Sequence, residues 1–120
     1  MITNEIARIR TWQYIIDNYN INIGTFGIID ISETELFYVK TYNSIKYCNS
    51  RNLDDLWIGP GPIIVDKING IIKCFGSATS IDFALKISKD DLDAGNKYWA
   101  IKIPVIINNK INTHIKTYLN

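Results

Sequence analysis

The stretch that decides the fold runs Gly59-Pro60-Gly61-Pro62-Ile63-Ile64-Val65-Asp66-Lys67-Ile68-Asn69-Gly70-Ile71-Ile72-Lys73-Cys74-Phe75-Gly76-Ser77. It reads as rigid turn, strand, turn, strand, turn. Pro60 and Pro62 fix their own φ and push the residue before each into extended backbone. Ile63, Ile64 and Val65 form a β-branched run suited to a pleated, half-buried surface. Asn69-Gly70 is the strongest short-range hairpin signal in the chain, because both residues tolerate positive φ. Ile71, Ile72, Cys74 and Phe75 supply the return strand, and Gly76-Ser77 ends it. The Gly-Pro-Gly-Pro segment lacks the lysine and the following helix that a phosphate-cradling loop requires. A β-hairpin therefore sits at the centre, and by itself it carries no chemistry.

Working outward, Thr3 or Asn4 caps a helix over 4–18, with Glu5 in its first turn where the helix dipole favours an acid. Ile2, Ile6, Ile9, Gln13 and Ile16 follow helical spacing, with Trp12 and Ile15 beside them. Phe26, Ile28, Ile29 and Ile31 form one strand, and Leu36, Phe37, Tyr38, Val39 and Tyr42 the next. Phe37 and Val39 point to one face and Tyr38, Lys40 and Tyr42 to the other. Residues 43–56 are polar and read as a long irregular loop, the kind that tends to carry function. Beyond the hairpin, Thr79 or Ser80 caps a second helix with Ile81, Ala84, Leu85 and Ser88 on one face. Residues 90–96 read as a loop. A strand is expected over 98–107, bent or placed at an edge by Pro104, and a further strand, or a short helix, over 111–118. The fold class is α+β: a small antiparallel sheet with a central β-hairpin, packed by an N-terminal helix and a second helix.

At 120 residues with 47% hydrophobic content the expectation is one domain over 1–120 with a true core, in which 89–120 can be a lineage-specific C-terminal extension. The net charge of +1 points to neither nucleic acid nor membrane. Its distribution is uneven. Residues 1–95 carry 9 basic and all 12 acidic side chains, a balance of −3, whereas 96–120 carry Lys97, Lys102, Lys110 and Lys116 with no acid. Such lysines guard a sheet edge or meet an acidic partner. The two cysteines, Cys48 and Cys74, lack metal-ligand spacing. The N-terminus is too charged for a signal peptide and no run of 18 apolar residues occurs, so the expected setting is the cytoplasm with both thiols free.

No catalytic, cofactor-binding or metal-binding set is assigned. A thiol hydrolase would need Cys48 or Cys74 beside His114, the one histidine, and nothing in their spacing brings them together. The adjacent pairs Asp54-Asp55 and Asp90-Asp91 point apart and form no acid–base couple. Asp90, Asp91 and Asp93 lack the glycine and terminal glutamate of a calcium loop. Aromatic residues beside acidic loops are the better functional signal, since they supply anchors together with steering charge. The candidate partner-binding residues are Tyr47, Arg51, Asp54, Asp55, Trp57, Asp90, Asp91, Asp93, Tyr98 and Trp99, with Trp57 and Trp99 also readable as core.

The ordered set formed by the N-terminal helix, the strand Glu35-Leu36-Phe37-Tyr38-Val39-Lys40-Thr41-Tyr42, a polar loop, Gly59-Pro60-Gly61-Pro62-Ile63-Ile64-Val65-Asp66-Lys67-Ile68-Asn69-Gly70 and the Gly76-Ser77 lead-in to a helix resembles the immunity protein 35 family, also called YrhB-like. The resemblance covers roughly 4–88. It departs at Asn69, where that family often has threonine, and residues beyond about 90 have no counterpart. The resemblance implies a cytoplasmic protein without catalytic residues or cofactor that binds and neutralises a cognate toxin of a bacterial polymorphic toxin system, encoded by an adjacent gene. The same label also permits a small chaperone-like or adaptor domain. The edge after Pro104 offers a pairing site for a partner strand or a second copy.

Overall fold

The computed structural model describes residues 1–93. The elements expected over 98–107 and 111–118, with Tyr98, Trp99, Pro104, His114 and the four C-terminal lysines, lie outside the described residues. Helix α1 spans Asn4–Asn18, strand β1 Phe26–Glu33, strand β2 Phe37–Ser44, helix α2 Ile45–Ser50, strand β3 Pro60–Asp66, strand β4 Ile72–Gly76 and helix α3 Ile81–Asp93, with a single 3₁₀ turn at Leu53–Asp55. The four strands form one antiparallel sheet in the order β1-β2-β3-β4. The fold is α+β, as the patterning indicates.

Thr3 caps α1 by accepting a hydrogen bond from the Ile6 amide at 3.2 Å. The face α1 buries is rotated from the expected isoleucine stripe. It runs through Ala7, Thr11, Trp12 and Ile15, with Ile9 alongside, while Gln13 and Ile16 stay half-buried at its margin. The small Ala7 and Thr11 let the helix axis approach the sheet, and the Thr11 hydroxyl donates to the Ala7 carbonyl at 2.7 Å, so its burial leaves no polar atom unpaired.

Strand alternation separates two cores. Tyr38, Ile63, Val65 and Ile72 face α1 together with Phe26 and Ile28. Phe37, Val39, Ile64 and Ile71 face α3 and meet Ala84, with Ile81, Leu85 and Leu92 beside it. The Ser80 hydroxyl caps α3 by accepting from the Phe83 amide. Lys40 lies on the apolar α1 face at 1% exposure, where its ammonium donates to Asp30 Oδ1 at 2.5 Å and Asn4 Oδ1 at 2.6 Å. Arg8 holds the other oxygen of Asp30 at 2.9 Å. Burial works against the Asp30 carboxylate, but the Lys40 hydrogen bond and charge, with Arg8 and Asn4, hold its pKa below the usual range.

The central hairpin departs from a turn in which both Asn69 and Gly70 take positive φ. Val65 pairs with Ile72, and Gly70 alone carries the positive φ, 69°, while Asn69 does not. The loop is set instead by Asp66, whose carboxylate accepts from the amides of Ile68 at 2.7 Å and Asn69 at 3.3 Å. A second difference is that Pro60 already belongs to β3. The backbone ladder from β2 to β3 covers only Phe37 to Lys40, so neither proline has to donate to it. Gly61 lies so close to β4 that an added Cβ would come within 2.2 Å of the Gly76 carbonyl oxygen.

Two expected loops are helical. Residues 43–56 contain α2 and the 3₁₀ turn, nucleated by side-chain caps in a polar segment. Residues 90–93 form the last turn of α3. There the acids that oppose the helix dipole are answered by cations: Lys86–Asp90 at 2.8 Å, Lys89–Asp93 at 3.2 Å, and Lys73 of β4 with Asp91.

Candidate protein-binding face

The backbone ladder between β2 and β3 stops at Lys40, and side chains continue it. Thr41 Oγ1 donates to the Gly61 carbonyl at 2.8 Å. Asn43, two residues on and on the same face, grips Trp57. Its Oδ1 accepts from the Trp57 amide at 2.7 Å and from the Ser44 amide at 2.9 Å, and its Nδ2 donates to the Trp57 carbonyl at 3.2 Å. One buried amide thus closes both ends of the excursion between β2 and β3.

The inside of the excursion is tied in the same manner. Ser44 caps α2 by accepting from the Tyr47 amide at 3.0 Å and donates to the Asp55 carbonyl at 2.6 Å. Asn52 caps the 3₁₀ turn through the Asp54 amide, and Ser50 donates to the Asp55 carboxylate at 3.0 Å. The Ile45 amide donates to the Thr25 carbonyl, which anchors α2 to the lead-in of β1. Gly27 gives α2 room, since a Cβ there would sit 3.0 Å from Cys48 Sγ.

This bracing presents apolar side chains outward. Ile58 is 93% exposed, Leu53 75% and Leu56 37%. Between them Trp57 is half-buried against the α1-side core. Two concavities adjoin this ridge. One, of about 780 Å³, lies between Trp57, Tyr42 and the 20–25 turn. The other, of about 410 Å³, lies on the opposite face of the sheet, floored by Ile29 and Thr41 and walled by Tyr47 and Trp57, with Arg51 at its rim. The Arg51 guanidinium stands 5.5 Å from the Tyr47 ring centroid.

Of the candidate residues, Tyr47, Arg51, Asp54, Asp55 and Trp57 are gathered in this excursion. Asp54 is exposed at the outer turn, and Asp55 is engaged by Ser50. Asp90, Asp91 and Asp93 are placed on α3 and paired with lysines of α3 and β4, so they are not a loop that extends this face. Tyr98 and Trp99 lie outside the described residues. Leu53, Leu56 and Ile58 went unnoticed in the sequence reading, as did the Asn43 clamp. Leu53 stands between Asn52 and Asp54, an apolar residue in a polar stretch, whereas Leu56 and Ile58 flank Trp57 and are masked by it. Nothing local marked Asn43, because its partner lies fourteen residues away.

Both thiols are held protonated at neutral pH. Burial pushes Cys74 up to about 12, with the neighbouring Tyr19 hydroxyl working the other way. Burial also raises Cys48, against the nearby Arg51 charge. Among the described residues no three His, Cys, Asp or Glu side chains gather as a metal set, and no helix is long and apolar enough to cross a membrane. No protein family, curated protein or solved structure matches the chain.

Proposed function

We propose that this protein is an immunity protein of the cytoplasm that neutralises one cognate toxin by direct contact, without chemistry of its own. The observation that supports it is the braced excursion, which holds Leu53, Leu56 and Ile58 in water around half-buried Trp57. Single exposed apolar residues are ordinary. Several on one rigid loop, beside aromatic rings and concave surface and rimmed by Arg51 and Asp54, have the composition of a binding centre with a polar margin. A pre-ordered loop also loses little conformational entropy on binding, which favours a tight complex. That the partner is a toxin comes from the sequence resemblance of the strand and hairpin segments to the immunity protein 35 family alone, and no family model matches the chain.

A chaperone-like or adaptor role uses exposed apolar surface too. Promiscuous surfaces gain their adaptability from flexible, methionine-rich side chains. This chain has one methionine, and the presenting loop is capped at each turn.

The test is co-expression with the product of the adjacent gene, read by growth rescue and by co-elution on size exclusion. A stable 1:1 complex with rescue, lost in Leu53→Asp and Ile58→Asp variants that fold normally, is the expected result. A toxic neighbour that is neither bound nor rescued sinks the proposal. Binding of many unfolded proteins with no single partner would support the chaperone-like role instead.

A further inference from the structure

The cavity of about 410 Å³ beside α2 has features that specify what it holds. Its lining is mainly apolar and includes Ile29 and Thr41 from the sheet, Tyr47 from α2, and Trp57. Its rim carries one cation, Arg51. Arg51 is exposed, and among the described residues no carboxylate pairs with it. The acids nearest in sequence do not serve: Asp55 takes the Ser50 hydroxyl, and no ion pair joins Asp54 to Arg51.

The backbone adds an independent observation. Arg51 ends α2 in the left-handed region, with φ 58° and ψ 19°, and its amide donates to the Tyr47 carbonyl. Glycine or asparagine ordinarily occupies that position, because a Cβ there is strained. Among the described residues Arg51 is the only non-glycine residue with positive φ. Strain of this kind points to a use for the side chain. The guanidinium stands 5.5 Å from the Tyr47 ring centroid, and both side chains line the cavity.

We propose that this cavity takes an apolar side chain of the partner protein, and that Arg51 binds the carboxylate of an Asp or Glu adjacent to that side chain. The assignment rests on the reading that this face binds a protein, and it names the partner chemistry. An apolar pocket supplies desolvation, while the planar guanidinium beside Tyr47 supplies a directional contact to a carboxylate. The partner segment is therefore an apolar residue with an acid beside it.

The probe is a displayed library of short random peptides selected on the full-length chain. The expected consensus is a large aliphatic or aromatic residue with Asp or Glu within two positions of it. Arg51→Gly binds the selected peptides about tenfold more weakly, and the loss vanishes when the peptide acid is changed to its amide. Arg51→Gly is the apt variant because glycine suits the left-handed backbone, so its melting temperature should not fall. Selection of peptides without an acid, no selection at all, or equal binding by Arg51→Gly overturns the assignment. Co-expression separates this from the functional proposal. If the wild type rescues growth and Arg51→Gly rescues equally, the cavity assignment falls and the toxin reading stands. If the peptide results hold and no rescue occurs, the toxin reading falls alone.

Discussion

Replacing Asn43 with alanine should release the excursion between β2 and β3 while leaving the sheet paired. The side chain is 5% exposed and makes three hydrogen bonds, two of them to the backbone of Trp57. Each neutral bond is worth about 1 kcal/mol net, and the groups left behind add a desolvation cost where they stay buried, so the change costs about 2–4 kcal/mol. A typical domain has only about 5–15 kcal/mol in total. The loss should be local first, because the cores that hold β2 to β3 use Tyr38, Val39, Ile63 and Ile64, not Asn43. Native-state hydrogen exchange is the assay. The Trp57 and Ser44 amides should exchange roughly 30- to 700-fold faster, since each 1.4 kcal/mol is tenfold. The amides of Val39 and Ile64 should change only by any fall in global stability. Asn43→Asp keeps the acceptor but sets a buried carboxylate oxygen against the Trp57 carbonyl, so it should cost more than the lost donor bond alone. Unchanged exchange at Trp57 in Asn43→Ala would show that the excursion is held by something other than this amide, and the argument for a braced face would fail with it.

Other consequences follow from the same geometry. Cys74 is pushed from 9.0 to about 12 in the folded state, so the protonated thiol is the favoured form. Its contribution is complete below pH 9 and is lost as pH rises toward 12, so alkaline denaturation should set in earlier for the wild type than for Cys74→Val when each is referenced to its stability at pH 7. Coincident curves would show that Cys74 plays no part. Gly61→Ala places a Cβ within 2.2 Å of the Gly76 carbonyl oxygen and should cost about 1–3 kcal/mol by urea denaturation, as overpacking does. Arg51→Gly relieves a left-handed non-glycine residue and should leave stability unchanged or raise it by about 1 kcal/mol, a thermal melt being sufficient to see it.

The parts of the fold that could be read from the sequence were those with a short-range cause. Thr3 and Ser80 sit directly before helical spacing, and Phe37 to Tyr42 alternate because one sheet separates two cores. Other features depended on long-range partners. The face of α1 was set by the closeness of approach that Ala7 and Thr11 permit, which isoleucine counting does not capture. The acids at 90–93 resembled a loop until Lys73, Lys86 and Lys89 were seen beside them. Helix α2 buries no residue fully and owes its place to Ser44 and Asn43, residues that are equally at home in a turn. The candidate face was legible in half: Tyr47, Arg51, Asp54, Asp55 and Trp57 come together, while the acids of α3 do not join them.

The Asn43 amide has a consequence for how such a protein can change. Both ends of the excursion are fastened at one strand residue, so what lies between them behaves as a cassette. Its length, charge and apolar content can be rewritten by substitution or exchange while the sheet, its two cores and the closing clamp keep their register. Sequence change could therefore collect in this segment without refolding the scaffold that displays it.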